Sequence, residues 1–167
     1  SVGFDTVRNK AVFIDQTLLP TEYKEVSTDD YNEIFDAIKN LKVRGAPQIG
    51  VFTAVSLAVL MNKSTGDTYE KLMAELRDYC TKLVSCRPTA INLKWSTEEM
   101  LKVAENSNAE NFKENLTDKA LKMIEDDVAI CRKIGEYGAE ILKNCNSVLT
   151  HCNAGRLATV KYGTALA

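Results

Sequence analysis

The sequence predicts an α+β fold: a small antiparallel β unit and a helical bundle, followed by the first strand and helix of an open α/β domain. Three observations support this prediction. Short segments of β-forming residues, separated by turn residues, occupy residues 1–26. Apolar side chains then recur at three- and four-residue steps as far as residue 143. Finally, residues 147–167 have the pattern of a strand, a tight loop and a helix.

The N-terminal β unit is predicted to contain three strands. Residues 6–7 and 11–14 are the first two, and the polar residues 8–10 between them suit a hairpin turn. Residues 23–26 form the third strand, after a loop that ends at Pro20. Because so small a sheet is not stable alone, we expect helices to cover one of its faces.

Five helices are predicted to follow. Thr28 and Thr68 suit the N-cap positions of the first and third, since a hydroxyl accepts a hydrogen bond from a free backbone N–H. Pro47 opens the second helix, which is apolar on almost every side and should lie at the centre of the bundle. Gly135 and Gly138 either interrupt the fifth helix or allow close helix packing. The helices cover about residues 29–41, 47–61, 69–85, 90–104 and 111–143.

The end of the sequence predicts a second structural unit. Residues 147–151 have the length of a buried strand, residues 152–155 are small and polar, and residues 156–167 suit a helix. A single strand and helix cannot make a sheet, because each strand needs neighbours to pair with. We therefore expect residues 1–145 to form an N-terminal domain, and residues 146–167 to begin a truncated second domain of a longer protein.

Composition argues against several classes of protein. The net charge of −2 provides no basic surface for nucleic acid. The longest apolar run is too short to span a bilayer, and no signal-peptide pattern opens the sequence. The five cysteines have neither a CxxC motif nor zinc-ligand spacing. The cysteine pattern predicts a cytoplasmic location without disulfides or a metal site. The short apolar run predicts that the protein has no membrane partner.

Two loops are candidate anion sites. Arg44 and Gly45 precede the helix opened by Pro47, and free N–H groups at a helix start attract anions. Arg87 precedes Pro88 and another helix start in the same way. The two arginines either converge on one phosphate or belong to two ordinary helix caps.

Cys152 is the candidate reactive thiol. A helix start and a cation both favour a thiolate, and Arg156 lies just beyond it. The alternative is a small buried core residue, which is how we interpret the other four cysteines. His151 is the only histidine, but neighbours on a strand point to opposite faces and need not form a catalytic pair.

Four motifs together resemble a known family. They are DQTLLP at residues 15–20, VRGAPQIGV at 43–51, RPTAINLKW at 87–95, and LTHCNAG followed by LAT and YGTAL at 149–166. Their order and spacing resemble those of the S-methyl-5-thioribose-1-phosphate isomerases of methionine salvage. The same superfamily contains ribose-1,5-bisphosphate isomerases and the regulatory subunits of a translation-initiation guanine-exchange factor.

The resemblance implies a function and a set of site residues. It implies an aldose–ketose isomerase acting on a sugar phosphate, with Cys152 as the catalytic cysteine. Arg44, Gly45, Ala46 and Arg87 would hold the substrate phosphate, and no metal or redox cofactor is needed. It also implies a Rossmann-like second domain that supplies an acid–base aspartate, and a homodimer for the full-length protein. Because this sequence lacks that aspartate, we expect it to be inactive alone.

The sequence departs from the family pattern at a few positions. Gln48 replaces a residue that is more often small, and Arg156 and Lys161 replace small residues after CNAG. We expect Gln48 to tune the substrate pocket and Arg156 to add charge beside the thiol. Two other functions remain open: a non-catalytic regulatory subunit of the exchange factor, and a ribose-1,5-bisphosphate isomerase.

Overall fold

A computed structural model describes residues 1–167 and has the predicted α+β architecture, a small sheet packed on a bundle of five helices. The strands are β1 (Val2–Asp5), β2 (Lys10–Ile14) and β3 (Glu25–Thr28). The helices are α1 (Tyr31–Lys39), α2 (Ala46–Asn62), α3 (Tyr69–Cys86), α4 (Ile91–Glu105) and α5 (Phe112–Leu142). A single 3₁₀ turn follows at Arg156–Ala158. No helix has the length and apolar character needed to cross a bilayer.

The sheet is antiparallel in the order β1-β2-β3, with Phe13 paired to Val2 on one side and to Val26 on the other. The prediction of a strand at residues 6–7 is wrong, because those residues belong to the turn. The Asp5 carboxylate there accepts a hydrogen bond from the backbone N–H of Arg8 at 3.0 Å. The ring of Phe13 packs edge-on against Phe52 at 5.2 Å, and this contact joins the sheet to α2.

Local capping residues set the starts of two helices. Asp30, rather than the predicted Thr28, caps α1 and accepts hydrogen bonds from the N–H groups of Asn32 and Glu33. The buried Thr28 hydroxyl instead accepts from the Asp30 N–H at 3.1 Å. Thr68 caps α3 as predicted, accepting from the Lys71 N–H.

Helix α2 is the centre of the core, as its apolar sequence predicts. Every residue from Gln48 to Met61 is buried, and the helix packs against the sheet and the other four helices. Its interior position leaves only the first two residues and the last partly accessible. Because α2 is anchored in the core, its start and the loop that precedes it are held at a fixed position on the protein surface.

Helix α5 is one continuous helix that runs through both glycines. Its first half is anchored in the core by apolar side chains such as Phe112 and Leu116. Its second half carries exposed apolar side chains, namely Ile130, Ile134, Tyr137 and Ile141. The possibility that the glycines interrupt the helix is excluded.

The predicted strand at residues 147–151 and helix at residues 156–167 do not form. Residues 147–151 are exposed and belong to no strand, since none of the three strands pairs with them. Beyond them only the 3₁₀ turn is helical. The segment is held instead by local bonds, such as the Thr164 N–H to the Ala154 carbonyl at 2.9 Å, and by the Val160 N–H, which donates to Asp127 at 2.7 Å.

Candidate functional site

The five predicted site residues all line one cavity of about 520 Å³. The cavity lies between the starts of α2 and α4 and the loop that follows α5. Arg44, Gly45 and Ala46 reach it from the α2 side, Arg87 from the α4 side, and Cys152 from the loop. Residues that are more than a hundred positions apart in sequence are thus brought together, although their roles in binding and catalysis remain predictions.

The start of α2 combines backbone conformation with close packing. Gly45 is the N-cap residue and has φ of +100°, a conformation that side chains other than glycine rarely adopt. A Cβ atom at this position would lie 2.5 Å from the Cα of Ala158. No side chain caps α2, and no acidic residue lies in its first turn. Its N-terminal dipole is therefore not neutralised by the protein itself.

The start of α4 also lacks a side-chain cap. Its N-cap is Ala90, which offers no side-chain acceptor, and its first turn also lacks an acidic residue. By contrast, α1 and α3 have side-chain caps and a glutamate in the first turn. The two helix starts that open into the cavity are thus the ones suited to an external anion.

Two unpaired guanidinium groups add positive charge to these helix starts. The arginines that form ion pairs are Arg8, Arg77 and Arg132, all away from the cavity. Arg44 and Arg87 have no carboxylate partner, and no acidic side chain lines the cavity. Such a site can bind a phosphate by paired hydrogen bonds from a guanidinium group.

Cys152 is a free, exposed thiol on this cavity. Its backbone has φ of +63°, a left-handed conformation that is uncommon outside glycine. Burial raises the pKa of Cys80 to about 12 and that of Cys86 to about 11. Cys145 is exposed, so the expectation that it is a small buried core residue is wrong, and it lies outside the cavity. His151 and Arg156 are also exposed and do not line the cavity.

Gln48 does not line the cavity, contrary to the expectation that it tunes the pocket. It is buried, and its side-chain oxygen accepts a hydrogen bond from Gln16 Nε2 at 2.7 Å. With its amide turned over, Gln48 would instead donate to the Arg44 carbonyl at 2.6 Å. Since Gln16 also donates to the Leu157 carbonyl at 2.8 Å, these amides join the start of α2 to the terminal segment.

Sequence reasoning missed the apolar wall of the cavity. Leu41 and Ile49 line it from the α1–α2 side, and Ala90, Ile91 and Leu93 line it from α4, with Thr89, Asn92 and Asn153 as neutral polar residues. The RPTAINL motif contains the α4 residues and could have identified them. Nothing in the sequence around Leu41 marks it as a cavity residue. No group of three or more histidine, cysteine, aspartate or glutamate side chains is arranged to bind a metal ion.

Comparison with known proteins gives one family for most of the chain. The model of the family described as "Initiation factor 2 subunit family" matches residues 42–165. The methylthioribose-1-phosphate isomerase of Geotalea daltonii is 43% identical over 161 residues, covering 95% of this chain and 46% of the relative. The 5-deoxyribose 1-phosphate isomerase of Moorella thermoacetica is 44% identical over 157 residues, covering 92% and 45%.

Two solved structures have the same fold. The 5-methylthioribose 1-phosphate isomerase from Pyrococcus horikoshii OT3 superposes with a TM-score of 0.89 at 35% identity, covering 97% of this chain and 46% of that one. The translation initiation factor eIF-2B, subunit delta, from A. fulgidus gives 0.87 at 40% identity, covering 99% and 48%. The chain thus spans about half the length of the relatives it matches.

Proposed function

This chain belongs to the initiation factor 2 subunit family, and we propose that it supplies the phosphate-binding half of an aldose–ketose isomerase. The substrate we propose is 5-methylthioribose 1-phosphate, which is converted to 5-methylthioribulose 1-phosphate in methionine salvage. The names of the similar enzymes support this choice. We also infer a cytoplasmic homodimer for the full-length protein, as the resemblance implies.

One observation supports the proposal most strongly. Two uncapped helix starts, each preceded by an unpaired arginine, open into the cavity that Cys152 lines. Arg44 and Arg87 would hold the 1-phosphate, with the backbone N–H groups of the two helix starts adding to the positive field. Fixing the sugar by its phosphate would place the reacting carbons beside the thiol, which lowers the entropic cost of the reaction.

The chemistry needs ring opening and a transfer of hydrogen from C2 to C1. The phosphate on the anomeric oxygen prevents the free ring opening of an ordinary aldose, so a proton must be delivered and another removed within the site. Cys152 would serve as one member of this acid–base pair. No carboxylate lines the cavity to serve as the other. We therefore expect the isolated chain to bind phosphate but not to turn over substrate.

A second candidate function is a non-catalytic regulatory subunit of a translation-initiation guanine-exchange factor. The family description and the A. fulgidus structure favour it. The cavity favours the isomerase, because a regulatory subunit that binds a protein partner, with or without a sugar phosphate or nucleotide, has no need of a thiol between the two arginine-containing loops. A ribose-1,5-bisphosphate isomerase would have the same reaction type with a different substrate.

The deciding experiment compares Cys152→Ser with Cys145→Ser in the intact protein that contains this chain. Both thiols are exposed, but only Cys152 lines the cavity. For the isomerase we expect wild type and Cys145→Ser to convert 5-methylthioribose 1-phosphate, and Cys152→Ser to lose at least about a hundredfold in kcat. Absence of turnover by the wild type, or full activity of Cys152→Ser, would contradict the proposal.

A further inference from the structure

We propose that Leu41 is a specificity-determining residue that, with Ile91, contacts the end of the substrate opposite its phosphate. It would select sugar 1-phosphates whose 5-substituent is uncharged and apolar over those that carry a second phosphate there. This inference rests on the proposed function, and it concerns the substrate class that the same cavity accepts.

The backbone of Leu41 is the first observation. Leu41 follows the last turn of α1 with φ of +59°, the position and conformation at which helices most often place glycine. The turn brings the Val43 N–H to the Ala37 carbonyl at 3.0 Å, and Val43 is fully buried. A leucine is energetically unfavourable in this left-handed conformation, so the turn itself does not account for its side chain.

The position of the Leu41 side chain is the second observation. The residue is 38% exposed, so it contributes little to the hydrophobic core, and it lines the cavity. Ile91, in the first turn of α4, is 81% exposed and lines the cavity as well. Two exposed branched apolar side chains beside a cavity are the usual means of holding an apolar ligand group.

The charges of the cavity are the third observation. Arg44 and Arg87 are its only charged lining residues, and both are assigned to the 1-phosphate. A second phosphate on the same sugar would have no cation of its own in this lining. It would lose water against Leu41 and Ile91 without a compensating partner, which is unfavourable for a dianion. A methylthio or methyl group would be favoured at the same place by the hydrophobic effect.

The test measures kcat/KM of the intact protein for 5-methylthioribose 1-phosphate and for ribose 1,5-bisphosphate. The variant is Leu41→Ala, and the matched control is Leu142→Ala, which alters a leucine of 37% exposure at the end of α5, outside the cavity. We expect Leu41→Ala to lower the preference for the methylthio substrate about tenfold. Leu142→Ala should leave this preference unchanged.

A second variant, Leu41→Gly, separates the side chain from the backbone. Glycine relieves the positive φ, so a residue needed only for the turn should tolerate it, with unchanged preference and an equal or higher Tm. We expect the preference to fall as in Leu41→Ala while the Tm is kept. An unchanged preference in both variants, or a wild type that prefers the bisphosphate, overturns the role of Leu41 and leaves the isomerase standing. A wild type that converts neither sugar overturns both.

Discussion

Gly45 and Ala158 pack backbone to backbone, so that a Cβ atom on Gly45 would lie 2.5 Å from the Cα of Ala158 and 2.8 Å from its carbonyl oxygen. Gly45 begins the central helix α2, and Ala158 ends the 3₁₀ turn of the terminal segment. The contact therefore holds the segment that contains Cys152 against the loop that contains Arg44. It links the two parts of the cavity through backbone atoms, which cannot move aside as a flexible side chain can.

Substitution of Gly45 by alanine should be costly. The positive φ alone costs about 1–3 kcal/mol in a residue with a side chain, and the contact with Ala158 adds to this. We expect Gly45→Ala to lower the free energy of unfolding by at least about 2 kcal/mol and to weaken phosphate binding. Urea unfolding and phosphate titration would measure the two effects.

Gly138→Ala provides the matched control for Gly45→Ala. Gly138 lies inside α5, and a Cβ atom there would meet nothing within 4 Å. The same substitution should therefore stabilise the protein by about 0.5–1 kcal/mol, because alanine loses less conformational freedom in a helix. If Gly45→Ala and Gly138→Ala had the same free energy of unfolding, the close contact of Gly45 with Ala158 would not contribute to stability.

Arg44 and Arg87 should act on the same phosphate. We expect Arg44→Ala and Arg87→Ala each to weaken binding of inorganic phosphate about tenfold or more, since each removes charge-assisted hydrogen bonds. Calorimetric titration of the two single variants and the double variant gives their coupling energy. Arg132→Ala, which removes an arginine paired with Glu136 on α5, is the control and should bind as the wild type does.

Additive effects of the two arginine substitutions on phosphate binding would contradict a shared site. If the two losses simply add in the double variant, the two guanidinium groups are not coupled through one anion. A coupling energy of about 1 kcal/mol or more indicates that one anion contacts both guanidinium groups.

Glu99 should make stability depend on pH in the acid range. Hydrogen bonds from Lys102 and Lys119 lower the pKa of the Glu99 carboxyl to about 2. A carboxyl whose pKa is lower in the folded state stabilises the fold above its unfolded pKa of about 4.3, and this contribution is lost as the pH falls towards 2. Between pH 6 and pH 2, the free energy of unfolding should therefore fall more steeply for the wild type than for Glu99→Gln.

The control for this pH effect is Glu110→Gln, since Glu110 is exposed and belongs to no ion pair. Its pH profile should follow that of the wild type. A Glu99→Gln profile parallel to the wild-type profile would show that the two lysine contacts contribute nothing in solution, as is common for surface ion pairs.

The helices were predictable from sequence because their information is local. The spacing of apolar residues located all five, and Thr68 marked the start of α3 correctly. Thr28 failed as a cap because Asp30, two residues later, offers a better acceptor to the first turn. The first strand was misplaced because its register depends on pairing with β2, and the residues of the turn look as β-like as those of the strand.

The terminal segment and the cavity wall show where local information ends. The apolar run at 147–151 has the composition of a strand, but a strand forms only when another pairs with it. The motif residues were found from sequence, and their convergence could not be, because it depends on how α2 and α4 pack. Leu41 was missed because its place in the cavity lining depends on how the turn after α1 packs, and no sequence pattern at that position shows this.

Inorganic phosphate should protect the Cys152 thiol from alkylation, and this protection tests the shared site most directly. Cys152 and Cys145 are the exposed thiols, so iodoacetamide should label both, and burial of Cys80 with its pKa of about 12 should keep it unlabelled at pH 8. Mass spectrometry gives the rate at each cysteine. We predict that phosphate slows labelling of Cys152 but not of Cys145, and that Arg44→Ala and Arg87→Ala each raise the phosphate concentration needed for this protection about tenfold or more. Equal rates at Cys152 with and without phosphate would contradict a single site that joins the two arginines to the thiol.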